Sequence, residues 1–320
     1  MRRVLVALGA VAVASCGHDR ASAPTTVPAR PSGLDAGTVL TMVSGETGAP
    51  VSGVTVTIGS QALTSDAAGQ VRLTALAALG TTIDVLHPDY LDRLSTVRTG
   101  TGQRFALWPK TTQSGLNEHY TATLVYTSAS DPPGPTGDAA LQRLPRGTAT
   151  VVVVPSPDLL GDGGAMDAHA QAVATLTEAT GATVSYVLAP SRPSSGVVVT
   201  TRADPQDSRC TDSATLRGYT RGTYQGLELV SAEVVFCSLG VARSPTVGHE
   251  LGHTFGLRHS PDDRDLMYFQ FSNRRATTLG PREALLMRLM LDRPPGNRFP
   301  DNDRSATATA ARSERLTLCY

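Results

Sequence analysis

The chain's 320 residues exceed one typical domain and suit two modest ones. Its 28 basic and 28 acidic side chains cancel, so net charge gives no reason to expect nucleic acid or an acidic partner. A hydrophobic share of 40% permits ordinary packed cores and excludes a chain disordered throughout.

Residues 1–16 read as an export address. Met1-Arg2-Arg3 is a positive start, and the apolar run Val4–Ala14 is too short to span a bilayer. The ending Val13-Ala14-Ser15-Cys16 resembles the lipobox of bacterial lipoproteins. That resemblance implies lipidation at Cys16 and anchoring to the cell envelope, with any membrane contact made through the lipid alone. An ordinary signal peptide cut near Ala14 or Cys16 would instead give a secreted protein. Residues 17–35, rich in Ser, Thr, Pro, Ala and Arg, read as a flexible tether.

From 36 to 109 the pattern is short β-strands between Gly, Asp and Pro turns. Val54-Thr55-Val56-Thr57-Ile58 alternates strictly, as a half-buried strand does. Val71-Arg72-Leu73 and Thr82–Leu86 give further strands, and His87, before Pro88, reads as a turn residue. The runs Gly48–Val56, Thr64–Val71 and Pro88-Asp89-Tyr90 resemble the carboxypeptidase-regulatory-like, transthyretin-like β-sandwich. The resemblance implies an all-β spacer or adhesive module without chemistry. Residues 110–139 read as a linker, with a strand within Asn117–Tyr126 and a loop at Asp131-Pro132-Pro133-Gly134-Pro135.

Residues 140–300 carry an α/β signature. Thr148–Val154 is a continuous β-branched run, expected for a strand buried on both faces. A helix over 165–180 places Ala170, Val173, Leu176 and Thr177 on one face, with Gly181 just past its end. Strands follow at Thr183–Leu188, Val197–Thr201 and Glu228–Phe236, then a helix from near Pro245. Gly280-Pro281-Arg282-Glu283 opens a last helix to about Leu291. Residues 301–320 read as a tail.

The informative segment is His249-Glu250-Leu251-Gly252-His253-Thr254-Phe255-Gly256-Leu257-Arg258-His259. On a helix, side chains at i and i+4 share a face, so His249 and His253 can reach one metal. Gly256 lets the chain leave the helix at positive φ, and His259 can then swing round as a third ligand. Three protein ligands leave a fourth position for water, the mark of a catalytic zinc. Glu250 falls beside that water as a general base. The full HExxHxxGxxH pattern has a chance count of order ~10⁻⁵ in a chain of this composition.

Followed by a methionine, this pattern resembles the metzincin metallopeptidases. Met267 lies eight residues after His259, a spacing similar to the matrixin branch. The resemblance implies an α/β catalytic domain with a mixed sheet, a zinc-binding helix and a Met-turn. It also implies His249, His253 and His259 as zinc ligands, Glu250 as general base and acid, and Met267 as the apolar floor. Tyr268 directly follows the methionine and is not a ligand in that pattern, while Phe269 stands where matrixins carry proline. No matrixin calcium motif is recognisable. Asp158, Asp162 and Asp167 could offer oxygens to calcium, but a solvated loop explains them better.

In an oxidising compartment Cys210–Cys237 is the preferred bridge, leaving Cys319, with Cys237–Cys319 as competitor. Without CxxC-type spacing, no metal role is expected for these cysteines. The sequence thus points to a zinc endopeptidase acting on proteins or peptides. A surface-anchored adhesion protein with an inactive metzincin-like domain is the alternative.

Overall fold

The computed structural model describes residues 33–98, 103–126, 139–304 and 311–320. The export signal, Cys16 and the Asp131–Pro135 loop lie outside the described residues, as does the tether up to residue 32. No described helix is long and apolar enough to cross a membrane.

Nine strands form an N-terminal β unit: β1 (Gly33–Leu34), β2 (Val39–Ser44), β3 (Thr55–Ile58), β4 (Gln61–Thr64), β5 (Gln70–Arg72), β6 (Ala77–Ala78), β7 (Thr82–Leu86), β8 (Arg93–Thr96) and β9 (Arg104–Leu107). A three-stranded sheet runs β5-β2-β9 and a four-stranded one β4-β3-β7-β8. Strand alternation decides the packing. Val56 and Ile58 of β3 sit opposite Val85 and Ile83 of β7 and bury together with Leu40, Met42 and Phe105. The end of the supposed tether, Gly33–Leu34, is itself a strand paired with β6.

Beyond it come α1 (Glu118–Tyr126), β10 (Thr150–Pro155), α2 (Pro157–Leu160), α3 (Gly163–Ala179), β11 (Ser185–Leu188), β12 (Val197–Ala203), α4 (Ser208–Asp212), β13 (Gly218–Gln225), β14 (Glu228–Phe236), α5 (Leu239–Ala242), α6 (Thr246–Phe255), α7 (Pro281–Leu291) and β15 (Arg312–Cys319). Six strands make one mixed sheet, ordered β11-β10-β12-β14-β13-β15. The first four are parallel, and β13 and β15 run antiparallel at one edge.

Four sequence expectations change. Asn117–Tyr126 is not a strand. Asn117 Oδ1 accepts from Tyr120 N–H at 2.8 Å, a cap that starts α1, and burial of Tyr120–Tyr126 overrides their β-leaning composition. The linker therefore contains an ordered helix. The 301–320 tail contains β15, which pairs with β13 along its whole length. On α3 the buried stripe is Ala165, His169, Ala172, Leu176 and Ala179, while Ala170 is exposed. His169 is satisfied inside by Ala165 O at 2.7 Å and Thr201 Oγ1 at 3.0 Å. Finally, β10 buries Val151 and Val153 against the helices but leaves Val152 and Val154 only partly covered, so one face is packed rather than two.

A buried ionic cluster joins the β unit to the α/β part. Arg293, fully buried, donates to both carboxylate oxygens of Asp301 at 2.6 and 2.7 Å and to Ala106 O of β9 at 2.6 Å. Arg93 of β8 reaches Asp303 at 3.0 Å, and Asn297 bridges Asp301 and Asp303. Against the raising effect of burial, Arg93 and Arg293 hold the Asp303 carboxyl below its ordinary value. Removing one member of such a cluster strands a buried charge. Arg293→Ala is therefore expected to lower the unfolding free energy by about 3–5 kcal/mol, read as a shifted denaturant midpoint.

Candidate metal centre

Every residue of α6 is buried, so this helix is a core element whose side chains are fixed by packing. Gly256 ends it at φ +124°, and a Cβ there would meet Gln142 O at 2.3 Å, so only glycine fits the exit. After that exit, Arg258 N–H donates to Leu124 O of α1 at 2.8 Å, which turns the chain so that His259 faces back toward the helix. The three imidazoles come together: ring centroids lie 4.7 Å apart for His249–His253, 5.4 Å for His249–His259 and 4.8 Å for His253–His259.

The protonation pattern of two of them follows from their partners. His249 Nδ1 lies 2.7 Å from Leu266 O, and His253 Nδ1 lies 2.9 Å from Leu257 O. A carbonyl only accepts, so each Nδ1 carries the hydrogen and each neutral ring presents a bare Nε2. Burial foremost holds both imidazoles well below their ordinary pKa, so neutral rings are the stable form. Yet the two Nε2 atoms face each other at 3.1 Å. Two lone pairs at that distance repel unless a cation lies between them. The donor set therefore fits a divalent metal of the zinc class, with both rings held by backbone carbonyls in the way metal-binding histidines are oriented.

Glu250 is fully buried next to this cluster. Its Oε2 accepts from Thr220 Oγ1 of β13 at 2.6 Å. Burial raises its pKa to about 7, against the lowering effect of hydrogen bonds from Cys319 and Thr220. Met267 lies beneath α6 with its sulfur 2.5 Å from where a Cβ on Gly252 would stand, so glycine at 252 and methionine at 267 fit each other.

Some of the machinery was not visible in the sequence. Glu283, which served only as a helix-start signal, reaches from α7 into the Met267 turn. It accepts from Gly280 N–H at 2.7 Å, Met267 N–H at 2.9 Å and Leu266 N–H at 3.3 Å. It thereby holds the peptide whose carbonyl orients His249. Cys319 is the larger correction. Expected to have no part at a metal, its Sγ lies 3.4 Å from His253 Nε2 and 3.6 Å from His259 Nε2. The ligand atoms of His249, His253, His259 and Cys319 all fall within 4.8 Å of one another. Spacing along the chain could not show this, because strand pairing brings Cys319 there. Cys210 and Cys237 form a disulfide with Cα atoms 5.3 Å apart. Asp162 caps α3, accepting from Ala165 N–H at 2.8 Å, and pairs with Arg243.

No family model matches the sequence, and no curated protein matches it. Among solved structures the chain is similar to archaemetzincin from Methanopyrus kandleri, with 18% identity over 47% of this chain and 99% of that one, at a TM-score of 0.30. It is similar to metalloproteinase-II from Bacteroides fragilis, with 14% identity over 79% of this chain and 84% of that one, at 0.33. It also matches a type II cohesin–X-dockerin complex from Acetivibrio cellulolyticus, with 17% identity over 22% of this chain and a TM-score of 0.18. The chain spans about half the length of the cohesin–dockerin chains it matches, 52% and 56%. Likenesses this distant carry no functional argument; the site geometry does.

Burial foremost raises the Glu283 pKa from 4.5 to about 7, so the folded state binds its proton more tightly than the unfolded chain. That contribution to stability is complete below about 4.5 and is lost as pH rises through about 7. Glu283→Gln cannot titrate. The Tm of Glu283→Gln relative to the parent is expected to climb as pH rises through this window, as followed by thermal melts at a series of pH values.

Proposed function

We propose that this chain is a zinc-dependent endopeptidase of the metzincin type, with a matrixin-like Met-turn, acting on proteins or peptides. The observation that carries the reading is the pair of bare Nε2 atoms of His249 and His253 facing each other at 3.1 Å, with His259 alongside. Zinc bound there supplies Lewis acidity, which acidifies water and polarises a peptide carbonyl. Glu250 takes the proton of the attacking water and returns it to the departing amine. Burial, which raises the pKa of this carboxyl, eases its taking up of a proton. Thr220 fixes the carboxyl's rotamer, and Met267 gives the centre a close-packed floor.

The same reading extends to the rest of the molecule. We take Cys16 as a lipidation site that anchors an exported protein to a bacterial envelope, and the β unit as a transthyretin-like spacer without chemistry. An inactive domain on a surface adhesion protein would leave Glu250 without a task. Its buried carboxyl beside three imidazoles favours the enzyme.

Because Cys319 Sγ stands among the imidazoles, cleavage is read in a Cys319→Ser background. One zinc per chain is expected there, with chelator-sensitive cleavage of an unfolded protein substrate. Adding Glu250→Gln should keep the zinc and lower kcat by roughly 10²–10⁴-fold, the usual contribution of a general base. Full activity in that double variant would refute the mechanism. His259→Ala should lose zinc and activity together, and undiminished zinc content, measured by atomic absorption, would remove His259 from the ligand set.

A further inference from the structure

Among the described residues, Cys319 is the ligand-type side chain of the centre that hydrolysis does not use. A whole strand sets its position. β15 pairs antiparallel with β13 from Arg312↔Gln225 through Cys319↔Gly218. Its alternate residues Arg315, Thr317 and Cys319 are buried on one face, and Arg315 donates to His253 O at 2.8 Å. Leu316 and Leu318 turn the other way, onto a small core with Leu216, Tyr219 and Val235. The thiol is thus delivered to the imidazoles by both the pleat and the register.

Three of the six distances among the four ligand atoms come close to those of a coordination shell, and all four atoms fall within 4.8 Å of one another. Zinc bound tetrahedrally, with Zn–S of ~2.3 Å and Zn–N of ~2.0–2.1 Å, sets sulfur-to-nitrogen edges of ~3.6 Å and nitrogen-to-nitrogen edges of ~3.3 Å. The observed edges are 3.4 and 3.6 Å from Cys319 Sγ, and 3.1 Å between His249 and His253. A cysteine buried merely as a small apolar group would have apolar neighbours; here two ring nitrogens and the Glu250 carboxyl surround it.

The second observation is independent. β13 is the strand whose Thr220 touches Glu250, and its outer edge is where an extended peptide would add as a further strand. β15 already fills that edge along its full length.

We propose that β15 is a built-in plug. Cys319 is the fourth ligand of the metal held by His249, His253 and His259, and Arg312–Cys319 takes the place of an extended peptide on β13. The folded chain is then a latent peptidase, opened by displacing one strand. The inference rests on the metal-site reading above. Ligation costs the thiol its proton, and a shell of three histidines and one cysteine is the closed, structural kind that leaves no position for water.

The test loads the full chain and its Cys319→Ser variant with cobalt(II) in place of zinc. The parent should show a thiolate-to-cobalt charge-transfer band in the near ultraviolet, lost in Cys319→Ser. Zinc affinity should fall by roughly 10-fold or more in the variant, as for other losses at a metal shell. Without a metal–sulfur bond to hold it, β15 can yield its place on β13 to a substrate, so Cys319→Ser should cleave an unfolded protein that the parent leaves intact. A parent that binds one cobalt without the band, or cleaves as fast as the variant, overturns the plug and leaves the metal site standing. Cobalt bound by neither protein overturns the metal site, and the plug with it. Should Cys319→Ser fail to fold, thiol alkylation of the parent decides: slow with metal and fast with chelator at unchanged circular dichroism supports the plug, and equal rates refute it.

Discussion

Two imidazole nitrogens that cannot satisfy each other are the constraint around which this molecule is arranged. Each ring has its other nitrogen committed to a backbone carbonyl, one on the Met267 turn and one just past the end of the helix. The lone pairs that remain face each other at 3.1 Å among buried groups. A positive ion at the centre relieves their repulsion, and much of the surrounding structure serves to hold the rings in place.

The supports come from separate parts of the chain. Helix α1 fixes the turn that returns His259, α7 fixes the Met267 turn through Glu283, and β13 fixes Glu250 through Thr220. These groups act on neighbours of the reacting centre rather than on substrate. Their contribution is to keep rotamers within the narrow range that metal binding and proton transfer require. The buried charges around Arg293 seat the β unit against the same α/β part, close to the end of α7.

Legibility in the sequence followed locality. The eleven residues from His249 to His259 state their chemistry because helix geometry links i to i+4, and one glycine explains the turn that follows. α7 was equally clear from Pro281 and Glu283, which act within a single turn. α1 was misread because its β-branched and aromatic residues speak for a strand, while the Asn117 cap and tertiary burial decide for a helix. The buried face of α3 differs from the expected one because His169 takes a place in it, buried and hydrogen-bonded to Ala165 O and Thr201 Oγ1. Cys319 was invisible for a different reason. Its neighbours lie 60 and 66 positions away and meet it only through pairing of β15 with β13.

That pairing has a further consequence for how the molecule meets its own copies. While β15 is in place, the antiparallel end of the sheet terminates in a strand whose exposed residues include Arg312 and Glu314, charges that discourage neighbouring strands from adding. Once β15 lifts, the peptide groups of β13 lose that cover and become a template for any extended segment, including the same strand of a second molecule. Crowded opened chains would therefore tend toward reciprocal strand exchange, in which each molecule closes the other.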